Sequence, residues 1–210
     1  MRVLWLTLCI VVVDQASKVV VKLNMLPHES IPIIGDVFKL TFTENPGMAF
    51  GLSLGSKMFL SIFSVVATIL IAGYLWHVRK GPKGYRVALA LILGGALGNI
   101  IDRLFYGVIW DYNGFLYGNV VDFIHLDIWR GIVSESIPLI GGRYFAIFPI
   151  GNIADLAIIA GVVIIVLFQR RFHNEMNPKE VDTHVEMEEG ELGEAVSAVD
   201  EVRLGEEDEV

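Results

Sequence analysis

GNIADLAIIAGVVIIVLF, residues 151–168, opens with an asparagine and an aspartate and then runs on as pure hydrocarbon-compatible chain. A near-copy of its opening, GNIIDRLF at residues 98–105, closes another apolar run. A polar group in such a run is costly, because an ionisable side chain at the centre of a bilayer costs about 2.5 to 3.5 kcal/mol even on the lenient insertion scale. Two such insertions with the same Asn-x-x-Asp spacing call for a shared purpose.

The surrounding composition makes the chain a membrane protein. It has 210 residues, 54% of them apolar and only 19% charged, outside the usual range of soluble domains. A helix rises about 1.5 Å per residue, and a bilayer core is about 30 Å thick. Runs near 3–23, 58–78, 86–105 and 147–168 are long enough to cross it. The first reads as a span and not as a cleaved leader, since it continues apolar to Leu23. Cys9, the only cysteine, allows no intrachain disulfide and reads as a small buried apolar residue.

Charge divides the chain into two parts. Residues 173–210 hold 14 of the 24 acids against Lys179 and Arg203 alone, so this stretch carries −12 and the remainder +4. So acidic a segment, with no aromatic residue after Phe172, is expected to be a disordered cytoplasmic tail behind a four-helix membrane domain of residues 1–172. Arg2, the bases of RKGPKGYR (79–86) and Arg170 with Arg171 fall on one side, which the positive-inside rule makes cytoplasmic. Both termini are then inside, and residues 24–57 and 106–146 face outward.

The outer segments carry strand signals. In VFKLTFT, Phe38, Leu40 and Phe42 alternate with Val37, Lys39 and Thr41, and GNVVDFIHLDIW and RYFAIF are rich in β-branched and aromatic residues. YGVIWDYNGFLYG, between Tyr106 and Gly118, reads as a turn-containing insertion. The expected fold is mainly α: four transmembrane helices with a small β-sheet and loops at the outer, periplasmic membrane surface.

Depth brings the polar residues together. Measured from the outer end of each span, Asp14 and Lys18 lie about 13 and 7 Å in, Asn99 and Asp102 about 9 and 5 Å, Asn152 and Asp155 about 8 and 12 Å. Each pair is three or four residues apart and so shares a helix face. Asp102 beside Arg103 also suits a structural ion pair, and Asp14 with Lys18 an internal one. Asp155 has no base within a helical turn and needs a partner from elsewhere. Asp122, in NVVDFIH, could supply one if its strand returns to the cavity. Two carboxylates in close contact cannot both ionise, which yields an acid and a base side by side.

Other chemistries find less support. No HExxH, nucleophile–base pair or phosphate-binding glycine loop appears, nor a basic face for nucleic acid. A metal site from Asp122, His125 and Asp127 is a minor alternative, since strand alternation sends Asp122 and Asp127 to opposite faces. A small transporter or proton relay is the other, suggested by intramembrane Asp, Asn and Lys.

VVDQASKVVV, FTENPGMAFG, GGALGNIIDR, VVDF and FPIGNIADLAI occur in this order across residues 1–170. Together they resemble the bacterial lipoprotein signal peptidases, the type II signal peptidases. The resemblance implies an intramembrane aspartyl endopeptidase of the inner membrane with its active site towards the outer leaflet. It would remove signal peptides from diacylglyceryl-modified prolipoproteins, cutting before the lipidated cysteine. The catalytic pair would be Asp122 and Asp155. Asp14, Lys18, Asn45, Asn99, Asp102, Arg103 and Asn152 match positions that shape and support the site. The resemblance also implies no cofactor or metal, contact with membrane lipid, inhibition by globomycin-type cyclic peptides and a monomeric enzyme. Asn45 would close the outer side of the cavity, with Pro46 and Gly47 holding a turn and Phe50 touching lipid. The chain departs from the family at Gly151, where an aromatic residue is usual, and in a longer outer segment over 106–146.

Overall fold

The computed structural model describes residues 2–49, 52–53, 57–128, 130–132, 134, 144–146 and 148–176. Among the described residues four helices are long and apolar enough to cross a membrane: α1 Leu4–Asn24, α2 Lys57–His77, α3 Lys83–Ile109 and α4 Ile153–Met176. Buried residues make up 56% of the apolar window of α3 against 17 to 22% of the others, so α3 is the central helix. The outward faces of α1 and α2 are correspondingly greasy, with Trp5, Leu8, Val12, Phe59, Phe63 and Leu70 exposed.

Seven strands lie among the described residues: β1 Ser30–Ile34, β2 Phe38–Asn45, β3 Met48–Ala49, β4 Leu52–Ser53, β5 Val120–Leu126, β6 Arg130–Ile132 and β7 Tyr144–Ala146. An antiparallel sheet runs in the order β1-β2-β5, while β3–β4 and β6–β7 form two-stranded pairs. The alternation in VFKLTFT becomes β2, with Phe42 turned into the core. GNVVDFIHLDIW and RYFAIF supply β5 and β7. In β1, Pro32 sits on an edge strand, where a missing N–H costs no ladder bond.

Two apolar clusters bracket the polar residues. One joins Val3, Leu75, Leu89, Ala90 and Leu93. The other packs Val21 against Phe42, Tyr106, Val121 and Phe123 beneath the sheet. Along α1, Asp14 and Lys18 fall between Val3 and Val21; along α3, Asn99 and Asp102 fall between Leu93 and Tyr106.

Local structure differs from the sequence expectation at several points. α3 continues past Phe105 to Ile109, because Asp102–Tyr106 is a π-helical turn whose wider ring absorbs an extra residue without ending the helix. α4 begins at Ile153 and not at 147, since Pro149 disfavours helix at Phe148 and Gly151 bonds to β5 instead. Cys9 is exposed on α1 and not buried.

By compactness the chain divides into Met1–Val166 and Leu167–Val210. The second unit is described only as the end of α4, where Phe168 leaves helical geometry with φ −109° and ψ 15°. Residues 173–176, assigned to the acidic tail, are helical, and the rest of that tail lies outside the described residues, as does Phe50.

Candidate active site

The second Asn-x-x-Asp is, locally, a capping box. Asn152 Oδ1 accepts from the backbone N–H of Asp155 at 2.9 Å, and Asp155 Oδ2 accepts in return from the N–H of Asn152 at 3.2 Å. Two of the unpaired donors at the start of α4 are satisfied reciprocally. The N–H of Ala154 is met from another helix: it donates to Asp14 Oδ1 at 2.9 Å. A carboxylate facing a helix N-terminus is also favoured by the helix dipole.

The first Asn-x-x-Asp has a different environment. Lys18, fully buried, lies 2.8 Å from Asp14 Oδ2 and 2.9 Å from Asp102 Oδ2 and donates to Asn99 Oδ1 at 3.0 Å. Asp102 Oδ2 in turn accepts from the backbone N–H of Val121 at 3.1 Å. So each acid partnered by Lys18 grips the residue immediately before one of the two proposed catalytic acids: Asp14 holds Ala154, and Asp102 holds Val121. Close approach of the helices requires small residues here. A Cβ on Gly98 would stand 2.6 Å from Asp14 Oδ2, and one on Gly95 2.2 Å from the carbonyl oxygen of Ala154.

Asp122 and Asp155 share one asparagine. Asn152 Nδ2 donates to Asp122 Oδ1 at 2.7 Å, while its backbone N–H donates to Asp155. Asn99 donates to Asp155 Oδ1 at 2.8 Å and accepts from Asn152 at 3.1 Å. Lys18 fixes the orientation of this chain, because an ammonium has no acceptor and must face the oxygen of Asn99. Asp122 also bonds to the side chain of Asn45. Asn45 accepts from the N–H of Gly47 at 2.9 Å, forming the turn expected at ENPG, with Gly47 at φ +106°.

Burial, and after it the charge of Asp155, push the Asp122 carboxyl up from 3.8 to about 7. Asp122 is 2% exposed, whereas Asp155 is half-buried and borders a cavity of about 310 Å³. The pair therefore combines an enclosed acid with a more accessible one.

Arg103 does not pair with its neighbour Asp102. Adjacent helical residues point about 100° apart, and Asp102 turns to Lys18 while Arg103 donates to Ser64 Oγ at 3.1 Å. Its charge still acts on Asp155, Asp102 and Asp122. His125 bonds to Thr41, and Asp127 pairs with Lys39 at 3.1 Å. Sequence reasoning missed Gln15, which donates to Asp102 at 2.8 Å and accepts from Tyr106 at 3.2 Å. Its signal was available as an amide in an apolar run beside Asp14.

A second anchor lies at the sheet. Lys22 pairs with Glu44 and stands 5.2 Å from the ring centroids of both Trp110 and Tyr112. Glu44 also accepts from Asn119 at 3.0 Å. Burial works against its ionisation, but Lys22 and Asn119 outweigh that and hold its carboxyl below 4.5.

Fold and site together define an integral membrane protein with two carboxylates linked at one end of its helices. Comparison with known proteins places it more closely. The signature of the Signal peptidase (SPase) II family matches residues 6–170. A lipoprotein signal peptidase of Amoebophilus asiaticus (strain 5a2) is 39% identical over 179 residues, covering 79% of this chain and 76% of its own. One from Moorella thermoacetica is 39% identical over 166 residues, covering 79% and 90%. A solved bacterial membrane enzyme superposes with a TM-score of 0.60 at 28% identity, over 81% of this chain and 88% of its own. The chain belongs to the signal peptidase II family. It is a membrane peptidase, and the aspartyl type follows from the family.

Proposed function

We propose that Asp122 and Asp155 are the catalytic pair of this peptidase, and that its substrates are diacylglyceryl-modified prolipoproteins cleaved just before the lipidated cysteine. The observation that carries this is the shared asparagine: Asn152 donates to Asp122 from its side chain at 2.7 Å and to Asp155 from its backbone N–H at 3.2 Å.

The chemistry follows from the two environments. Asp155, bordering the cavity, takes a proton from a water whose oxygen attacks the scissile carbonyl. Asp122, whose carboxyl is pushed up to about 7 by burial and by the charge of Asp155, gives its proton to the departing amine nitrogen as the carbon–nitrogen bond breaks. No covalent intermediate forms, and transfer of the proton from Asp155 to the now ionised Asp122 restores the starting state. Asn152 and Asn99 hold both acids in place, and Arg103 balances their charge.

The basic residues at 79–86 and 170–171 put the opposite end of the helices in the cytoplasm, with the site towards the outer leaflet. There the acyl chains of a lipidated substrate would lie beside it. Globomycin-type cyclic peptides would compete for the same cavity, and the enzyme would act as a monomer within residues 1–172. Family membership leaves the transporter alternative without support.

The test is incubation of the purified protein with a diacylglyceryl-modified precursor and its unlipidated twin, with and without chelator. Cleavage of the lipidated form alone, unchanged by chelator, is expected. Equal cleavage of both forms, or loss of activity with chelator, would refute the reading.

A further inference from the structure

Gly151 carries no φ that demands glycine, since among the described residues the glycines with positive φ are Gly35 and Gly47. Its position in a sheet-like bridge is one that any residue can adopt. The N–H of Gly151 donates to the carbonyl of Ile124 at 3.0 Å, and the N–H groups of Phe123 and Ile124 donate to Gly151 at 2.8 and 2.7 Å. The backbone alone therefore does not explain the glycine. The neighbours of a side chain do: a Cβ here would stand 3.0 Å from Asp155 Oδ2, 3.6 Å from its Cβ and 3.8 Å from its Cγ. Chain neighbours aside, its three nearest atoms would all belong to this one acid.

The same glycine lines the cavity beside Asp155, whose other walls include Ile124, Phe148, Ile150, Leu156 and Ile159. Apart from Asn152 and Asp155 these walls are apolar, and Leu156 and Ile159 are exposed on the outward face of α4, so the cavity is continuous with the lipid side of the helix. The missing side chain leaves the flank of Asp155 open to this apolar space. A larger residue would both press on the carboxylate and take up space in the cavity that Gly151 lines.

We infer that Gly151 is a specificity-determining residue: by having no side chain it lets an apolar substrate group next to the scissile bond enter the cavity directly against Asp155. This rests on the proposed role of Asp155. The chemistry required is a flexible or branched hydrocarbon, and two parts of a lipidated precursor could supply it. One is an acyl chain of the modified cysteine; the other is the side chain of the residue before the bond.

The experiment measures kcat/KM of the purified enzyme on four lipidated peptides, combining short or long acyl chains with alanine or leucine before the cysteine. It compares the wild type with Gly151→Ala, Gly151→Leu and Ile159→Ala. A hydrocarbon group excluded from a pocket loses about tenfold or more in kcat/KM. Gly151→Leu is expected to lower the large-to-small preference by about tenfold, chiefly through KM, and Gly151→Ala to lower it less. Ile159→Ala, which widens the cavity from its exposed wall, should raise the preference. The substrate series whose ratio moves, acyl or side chain, identifies the occupant. Ratios within about twofold of the wild type in both series for the glycine variants would overturn the inference. If those variants fail to fold, an unchanged ratio in Ile159→Ala overturns it. Failure of the wild type to cleave any lipidated peptide would instead refute the function proposed for the pair, so the two failures are distinct.

Discussion

The carboxylate of Asp14 accepts a hydrogen bond from the backbone N–H of Ala154 at 2.9 Å, so an acid on α1 secures the first turn of α4, one residue before Asp155. Asp102 does the same for β5 through Val121, one residue before Asp122. Lys18 joins the two anchors, at 2.8 and 2.9 Å. Three charges outside the proposed catalytic pair thereby set the spacing of its two acids.

Replacement of Lys18 by methionine is expected to be severe, because it strands two buried acids without a counter-charge. Removing one partner of a buried ion pair costs about 3 to 5 kcal/mol. Thermal unfolding in detergent should show a large fall in Tm, with activity lost alongside it. A variant of undiminished Tm would mean that the anchors hold without the lysine.

Asn152→Ala separates geometry from chemistry. Loss of the cap should cost about 1 kcal/mol of stability. Activity should fall by about a hundredfold, since misplacing a catalytic group by an ångström has that effect. The comparison to make is kcat against Tm: a fall in Tm alone would confine Asn152 to capping.

Ionisation of Asp122 gives a stability prediction with a definite sign. Its folded value of about 7 lies above the ordinary 3.8, so the folded state binds the extra proton between them. Its contribution to stability is fully present below 3.8 and is lost as the pH rises through about 7. Unfolding followed across this range should show the wild type losing stability relative to Asp122→Asn. With Asp122 as the proposed general acid, kcat should also decline as the pH rises beyond about 7. Parallel stability curves for the two proteins would contradict the shift.

Much of this site was legible in the chain, and physical reasons separate what was from what was not. Asp14, Lys18, Asn99 and Asp102 stood out because each interrupts an apolar run at a cost, and helical spacing places them on common faces. The partnership of Asp122 with Asp155 did not follow from spacing, because strand β5 is brought to α4 by long-range contacts with Gly151 and Asn152. The π-helical turn at Asp102–Tyr106 leaves no simple periodic mark, so α3 was expected to end too early. The capping box at Asn152 did have a local signature, Asn followed by Asp three residues later. It was obscured by the apolar residues on both sides, which favoured a longer helix. In β1, Pro32 and the exposure of all five residues removed the usual strand pattern.

The most direct measurement is single-turnover cleavage of a diacylglyceryl-modified precursor by Asp122→Asn and Asp155→Asn, each verified as folded by its unfolding curve. General acid–base assistance accounts for about 10² to 10⁴ in rate. Each amide variant should therefore lose at least about a hundredfold, and the double variant should lose little more than the worse single one. A folded single variant that cleaves at the wild-type rate would contradict the two-carboxylate site.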